Sequence, residues 1–409
     1  MSYNSICLIL TIAFAIFAFS KRDKAVILSI VLFFTLELFS IANFLPIWGV
    51  VAICTFLPLL KNKEGLVLPL SKPIFFILLS YILTTLFGSY AANSQVLVCV
   101  YYILLTYVIY NNFSVNEKNV KYLLWAVIIY TVVSIIYGAY ESIMFQKPFR
   151  DWLISIGGNL NDQGLGQQRY GLWRAQGFTA WFTFFALMCC ISYSILTDIV
   201  LVDKYKFARN SIIVSLCFVF LAGTILAGDR SSMVFALIIS LSFIGVFKHQ
   251  RGLLVFVLLV TFLLFIVFSS LFNEIYSSFF ITDDMDGSHK DMRIEQFKAA
   301  YDFFLLNPIF GNGLGSLDAA ISYNPELRGS ESQLFNILYG RGIFGVLTSG
   351  YLFFKTLQFF YRQKTYSLLF IYLGFFTYNC LTLPINELFI YPVLFLLYRI
   401  KTVINNDAG

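Results

Sequence analysis

The residues able to do chemistry lie in two polar stretches of an otherwise apolar chain. The smaller stretch, 145–176, carries Arg169 and Arg174 among Trp152, Tyr170 and Trp173. The larger stretch, 274–332, carries Arg293, Tyr301, Arg328 and Glu331. Between them Arg230 stands in ILAGDRSSMVF, where two apolar runs abut almost without a loop. Guanidinium groups present planar forks of donors that match phosphate oxygens. Aromatic rings beside them suit sugar stacking. A carboxylate within reach of a hydroxyl can take its proton as general base. The residue types therefore point to holding an anion and activating a hydroxyl.

Each candidate has a plainer reading. The spacing predicts a helix over 288–306 with a polar face of Asp291, Glu295, Lys298 and Asp302. Its predicted apolar face is Arg293, Phe297, Ala300, Tyr301 and Phe304. Arg293 heads that apolar stripe, so it needs an anion partner. That partner is a phosphate, or a loop carboxylate such as Asp284 or Asp286; a snorkelling side chain is the third reading. Arg230 is a site candidate because ionisable groups at membrane level are costly; a local pair with Asp229 is the alternative. Arg169 and Arg174 also fit an interfacial belt of aromatics and anchoring cations. Glu331 fits a helix cap as well as a base. The glycine turn NPIFGNGLGS lacks a preceding strand, so it redirects the chain and binds no nucleotide. His249, His289 and the pair Asp283 and Asp284 carry no metal-ligand spacing.

The elements that must position these groups are membrane helices. The 409 residues are 59% hydrophobic and 12% charged, with mean hydropathy +0.79. Soluble chains are about a quarter charged. Apolar runs long enough to span about 30 Å of hydrocarbon recur throughout. Expected spans are 3–20, 25–41, 44–60, 67–90, 95–111, 121–144, 177–201, 211–228, 231–247, 253–272, 333–360, 365–382 and 385–400. The expected fold class is thus all-α and polytopic, with 12–13 transmembrane helices in one domain over 1–409. The runs do not alternate, which excludes a β-barrel. The seven cysteines lie inside apolar runs and read as buried fillers. The net charge of +6 is spread over short loops, so it sets topology and does not suit nucleic acid.

Basic connectors at 21–24, 61–64, 116–121, 203–209, 248–251, 362–364 and 399–401 all fall on one side, the cytoplasm, when thirteen spans alternate. Both polar stretches and the N-terminus then fall on the other side. The tail 405–409 reads as a short disordered end.

Four pieces taken in order resemble the bacterial O-antigen polymerase and ligase superfamily, more specifically a Wzy-type O-antigen polymerase. They are RAQGF at 174–178, GDRSS at 228–232, RIEQFKAAYDFFLLNPIFGNGLGS at 293–316 and SESQLFNILYGRGIFGVL at 330–347. The first half of the chain resembles the family only as hydrophobic helices. The resemblance implies a GT-C-like membrane fold and a glycosyltransferase acting on the periplasmic face of the inner membrane. It implies undecaprenyl-diphosphate-linked oligosaccharide as substrate, membrane lipid around it, and neither metal nor other cofactor. A chain-length regulator protein is a further expected partner. Residues matching Arg230 and Arg293 would hold the diphosphate, with Arg174 as a further positive contact. Arg169, Arg328 and Tyr301 are the remaining candidate substrate contacts. Ligases carry a His where this chain has Glu331, which favours polymerase and leaves Glu331 as the candidate base, in a place where the family's ligases use another residue.

Two other readings compete. A flippase for lipid-linked oligosaccharide would concentrate charge along a central path and repeat its halves. This sequence has few mid-span charges and no defensible repeat. O-antigen ligase is disfavoured by Glu331.

Overall fold

The computed structural model describes residues 2–41, 45–61, 67–90, 93–158, 168–169, 172–201, 211–243, 290–313, 332–382 and 385–406. Within them the helices are α1 Tyr3–Ser20, α2 Arg22–Val31, α3 Phe33–Leu36, α4 Ile47–Phe56, α5 Ser71–Phe87, α6 Asn93–Asn112, α7 Glu117–Met144 and α8 Pro148–Ser155. They continue as α9 Phe182–Leu201, α10 Ser211–Leu226, α11 Arg230–Ser240, α12 Lys290–Leu305, α13 Gln333–Arg362, α14 Tyr366–Leu381 and α15 Tyr391–Asn406. The strands are two-residue pairs, Ser40–Ile41 with Leu45–Pro46 and Gln168–Arg169 with Leu172–Trp173, both antiparallel. The chain is an all-α polytopic membrane protein. Five described helices, α1, α6, α7, α9 and α13, are long and apolar enough to cross a bilayer.

The exposed surface supports this class. On α7 the exposed residues Trp125, Ile129, Val133, Ile136, Tyr140 and Ile143 recur every three or four positions and form one apolar stripe. In water such a stripe is a liability; against lipid it carries no penalty. Hydroxyls that would be stranded at this depth bond back to their own helix. Thr55 donates to Val51 O, Thr106 to Tyr102 O and Thr356 to Leu352 O.

Hydrogen bonds between connectors sort them into the two ends of the bundle. Arg22 donates to Asn112 O at 2.8 Å, and Asn119 donates to Asp23 at 3.1 Å. These tie the basic connectors 21–24 and 112–121 together. At the opposite end Tyr3 N donates to Ile156 O, Thr35 Oγ1 to Phe178 O and Tyr90 N to Asn312 O. The N-terminus, the smaller polar stretch and the glycine turn therefore share one end.

An aromatic plug closes the bundle between the first half of the chain and the segment preceding α15. Phe33 lies 4.7 Å from Trp48 and 4.8 Å from Phe389, and Trp48 stacks on Tyr102 at 4.8 Å. Such pairs add roughly 0.5–1.5 kcal/mol beyond their burial.

The apolar run expected to cross the membrane as one span over 333–360 does not do so as one rod. Gly342 breaks α13 with φ 62° and ψ −161°, a conformation open to glycine alone. A straight helix would separate Gln333 from Phe353 by about 30 Å, yet both line one cleft. The two halves of α13 therefore fold towards each other at Gly342.

Candidate functional site

The kink frees backbone groups, and the glycine turn satisfies them. Asn312 N donates to Tyr339 O at 2.8 Å and Gly313 N to Gly340 O at 3.0 Å. In return Ile343 N donates to Pro308 O at 2.9 Å and Phe344 N to Ile309 O at 3.1 Å. Without these partners each group would sit orphaned below the headgroups. The approach is so close that a Cβ on Gly311 would lie 2.2 Å from Gly340 O. The turn thus redirects the chain, as its sequence suggests, and also braces the break in α13.

The α12 helix packs on the first half of α13, but its buried face differs from the expected one. Gln296, Ala299, Ala300, Phe303 and Phe304 are buried, whereas Phe297 is 54% and Tyr301 47% exposed. The stripe is rotated because the two alanines permit close approach and Phe303 meets Tyr339 edge-on at 5.7 Å. Tyr301 therefore stands on the open side of the helix. Backbone atoms of Arg293 belong to the first turns of α12; its side chain lies outside the described ones, as does that of Arg169. Glu331, Arg328, the pair Asp283 and Asp284, both histidines and the span 253–272 lie outside the described residues.

Arg174 and the GDRSS segment come together. Ala175 N donates to Leu226 O at 3.0 Å, and the Arg174 guanidinium Nε donates to Ala227 O at 2.9 Å. The guanidinium carbon also lies 3.2 Å from the centre of the Phe182 ring, a cation–π contact. Three residues beyond Ala227, Arg230 opens α11. Its predecessor Asp229 caps that helix by accepting from Ser231 N at 3.3 Å. Asp229 is thus the N-cap of α11. The Tyr378 hydroxyl, which donates to Thr183 O, is close enough for the charges of Asp229 and Arg174 to act on it.

Behind Arg174 lies a group that sequence reasoning missed. Glu141, in the last turn of α7, is buried and accepts from Gln176 N at 2.9 Å and Gly177 N at 2.8 Å through one carboxylate oxygen. It fixes the RAQGF loop, whose Gly177 has φ 59°. Arg150 on α8 is buried and donates to the Gln176 side chain at 3.4 Å. Lys147, buried between them, is acted on by the charges of Glu141, Arg150, Arg174 and Asp151. Burial pushes its ammonium down to about 8, with Arg150 and Arg174 adding to the fall and Glu141 opposing it. Lys147 thus lies within electrostatic reach of two guanidiniums, Arg150 and Arg174, and of two carboxylates, Glu141 and Asp151. The three cations are the groups here that could receive an anion. The signal was present: QKPFR sets Lys147 and Arg150 at helical spacing about Pro148, which starts α8.

A second buried ionic group lies in the last third of the chain. Arg341, beside the kink, donates to Glu387 and to Ser349 Oγ. Ser349 donates in turn to Glu387, and Tyr81 reaches the other carboxylate oxygen at 3.3 Å. The Arg341 guanidinium lies over the Tyr81 ring at 4.5 Å. The sequence reading that mid-span charges are scarce passes over this pair. An ionisable residue inside an apolar run is the signal that would have found it.

Residues 215–349 match the family described as O-Antigen ligase. The matched stretch begins in α10, takes in GDRSS and runs past the kink to Ser349. It is consistent with the O-antigen polymerase and ligase superfamily, and supports polymerase- or ligase-type glycosyl transfer. No curated protein matches the chain closely enough to count as a relative.

Proposed function

We propose that this chain, which carries the O-antigen ligase family match, is an O-antigen polymerase. In this reading it joins undecaprenyl-diphosphate-linked repeat units on the periplasmic face of the inner membrane. The observation that carries the reading is the buried cationic cluster of Lys147, Arg150 and Arg174 beside Arg230.

The diphosphate of the donor lipid sits against this cluster, with Arg230 and Arg293 completing its coordination. Arg169, Arg328 and Tyr301 contact the sugars or headgroup. A hydroxyl oxygen of the second, acceptor repeat unit attacks C1 of the donor's reducing sugar. The C1–O bond to phosphate breaks, and the electron pair leaves with undecaprenyl diphosphate. The hydroxyl proton passes to the Glu331 carboxylate. Fixed positive groups aimed at developing charge are commonly the largest catalytic contribution. Burial strengthens them because little water screens them.

Ligase activity is the second reading, favoured by the description of the matched family. The test is phenotypic. Arg174→Ala and Arg230→Ala are introduced into a polymerase-null strain carrying the gene. Loss of the surface ladder with core capped by single repeats supports polymerase. Uncapped core supports ligase. A normal ladder contradicts the assignment of these arginines.

A further inference from the structure

The cleft behind the kink has the chemistry of a sugar site. It is an open cleft between the two halves of α13, α14 and the segment preceding α15. Its polar lining is Gln333, Ser349, Asn379 and Glu387. Tyr372, Phe375, Phe376 and Phe353 supply aromatic walls, the last two with ring centres 4.2 Å apart.

Three observations restrict what fits there. Among the described lining residues none is cationic and one is a carboxylate, to which the adjacent Arg341 is already bonded, so the cleft matches a neutral ligand better than a phosphate. Asn379 is buried, and its Nδ2 donates to Ile385 O at 3.0 Å, while its Oδ1 finds no protein donor. A buried amide oxygen left so asks for a donor from a ligand. Glu387 is braced by Arg341, Ser349 and Tyr81, so its carboxylate is held in place by partners on two helices. A group that donates to Asn379 and Glu387 while lying against aromatic faces is a hydroxylated, uncharged ring.

The cleft also adjoins the cationic cluster. Asn379 lines it, while its neighbour Tyr378 lies within reach of the Asp229 and Arg174 charges. Consecutive residues of α14 thus connect the two places.

We propose that this cleft holds a sugar ring of the acceptor repeat unit, with Asn379 and Glu387 binding its hydroxyls and Phe376 lying against its apolar face. The inference rests on the polymerase reading for the word acceptor; the cleft's preference for a neutral sugar does not. The residues named bind the ring and are not assigned proton transfer.

The probe is the repeat-unit oligosaccharide of the same strain, released from its lipid carrier by mild acid. Its binding to the purified chain in lipid nanodiscs is read by saturation-transfer NMR. Binding of undecaprenyl diphosphate is read in parallel. The account expects saturation of sugar ring protons with the wild type. Phe376→Ala and Asn379→Leu are expected to weaken the oligosaccharide at least fivefold, with diphosphate affinity unchanged. Two results overturn the inference. One is oligosaccharide binding unaltered in both variants. The other is no oligosaccharide binding by a wild type that still elongates lipid-linked repeats. If instead the sugar binds as expected but purified chain never elongates, the subsite stands and the polymerase reading falls. Should Asn379→Leu fail to fold, Phe376→Ala alone decides.

Discussion

Arg174 Nε lies 2.9 Å from Ala227 O, so a guanidinium from the smaller polar stretch is bonded to the loop that ends in Arg230. The two motifs are more than fifty residues apart, yet backbone bonds as well as this side chain join them. Arg174→Lys keeps the charge but loses the planar fork and the ring contact with Phe182. Chain elongation is expected to fall roughly 10- to 100-fold, equivalent to about 1.4–2.8 kcal/mol. Elongation of lipid-linked repeats by purified variant measures it; a rate equal to wild type would remove Arg174 from the site.

Lys147 gives the site a pH dependence. Its folded ammonium titrates near about 8, against about 10.4 in an unfolded chain. As pH rises through 8 the cluster loses a positive charge, so diphosphate affinity is expected to fall. Stability moves the other way. Between the two values the unfolded chain binds more protons, so stability gains as pH rises across that window. Lys147→Arg should hold affinity constant from pH 8 to 9.5. Diphosphate titrations of both proteins check this, and parallel profiles would refute the assignment.

Glu141 holds the RAQGF loop by accepting two backbone N–H groups. Glu141→Ala strands both and removes a carboxylate that acts on Lys147. Each buried donor left without a partner costs about 1–3 kcal/mol. A fall of the thermal midpoint by several degrees is expected in detergent, larger than for Glu141→Gln, whose amide oxygen can still accept. Equal midpoints for the two variants would mean that the loop is held by other bonds.

The kink can be tested at either of its two glycines. Gly342→Ala imposes positive φ on a residue with a Cβ, at roughly 1–3 kcal/mol, and that Cβ would lie 2.6 Å from Ile309 O and Pro308 O. Gly311→Ala would press on Gly340 O. Both are expected to abolish folded yield, while Gly350→Ala, with open space around it, should be neutral. Fluorescence size-exclusion profiles distinguish the three.

In the pair of Arg341 and Glu387 the guanidinium is buried and the carboxylate mostly so, with side-chain exposures of 2% and 13%. Removing one partner of such a pair costs about 3–5 kcal/mol, because the other charge is left alone. Arg341→Met is therefore expected to destabilise more than the double change Arg341→Met with Glu387→Leu. Equal or additive losses in thermal melts would show that the pair does not act as a unit.

Much of the fold was legible because lipid imposes a simple rule on sequence. Several apolar runs of spanning length appear as helices near the expected bounds, Glu117–Met144 against 121–144 for one, whereas the run 25–41 is split at Leu32 and 385–400 turns helical only at Tyr391. The break at Gly342 was not read, although Gly340 and Arg341 stand beside it, because the run is long enough to span and the partner that stabilises the break lies in another polar stretch. The rotation of α12 escaped for a related reason. Periodicity placed Tyr301 with Phe304, but two adjacent small residues, Ala299 and Ala300, decided which face could come close. In the site, Arg174 and Arg230 were visible as motifs. Glu141, Lys147 and Arg150 were not, since their meaning comes from a loop returning thirty residues later.

The central claim is that cations from separate segments hold one lipid-borne diphosphate. Its most direct measurement uses purified chain in nanodiscs and lipid-linked repeat units from a polymerase-null strain. Products are resolved as a ladder of lipid-linked multimers. The account predicts a ladder with wild type and only single repeats with Arg174→Ala or Arg230→Ala at unchanged melting temperature. Wild-type ladders from both folded variants would contradict it.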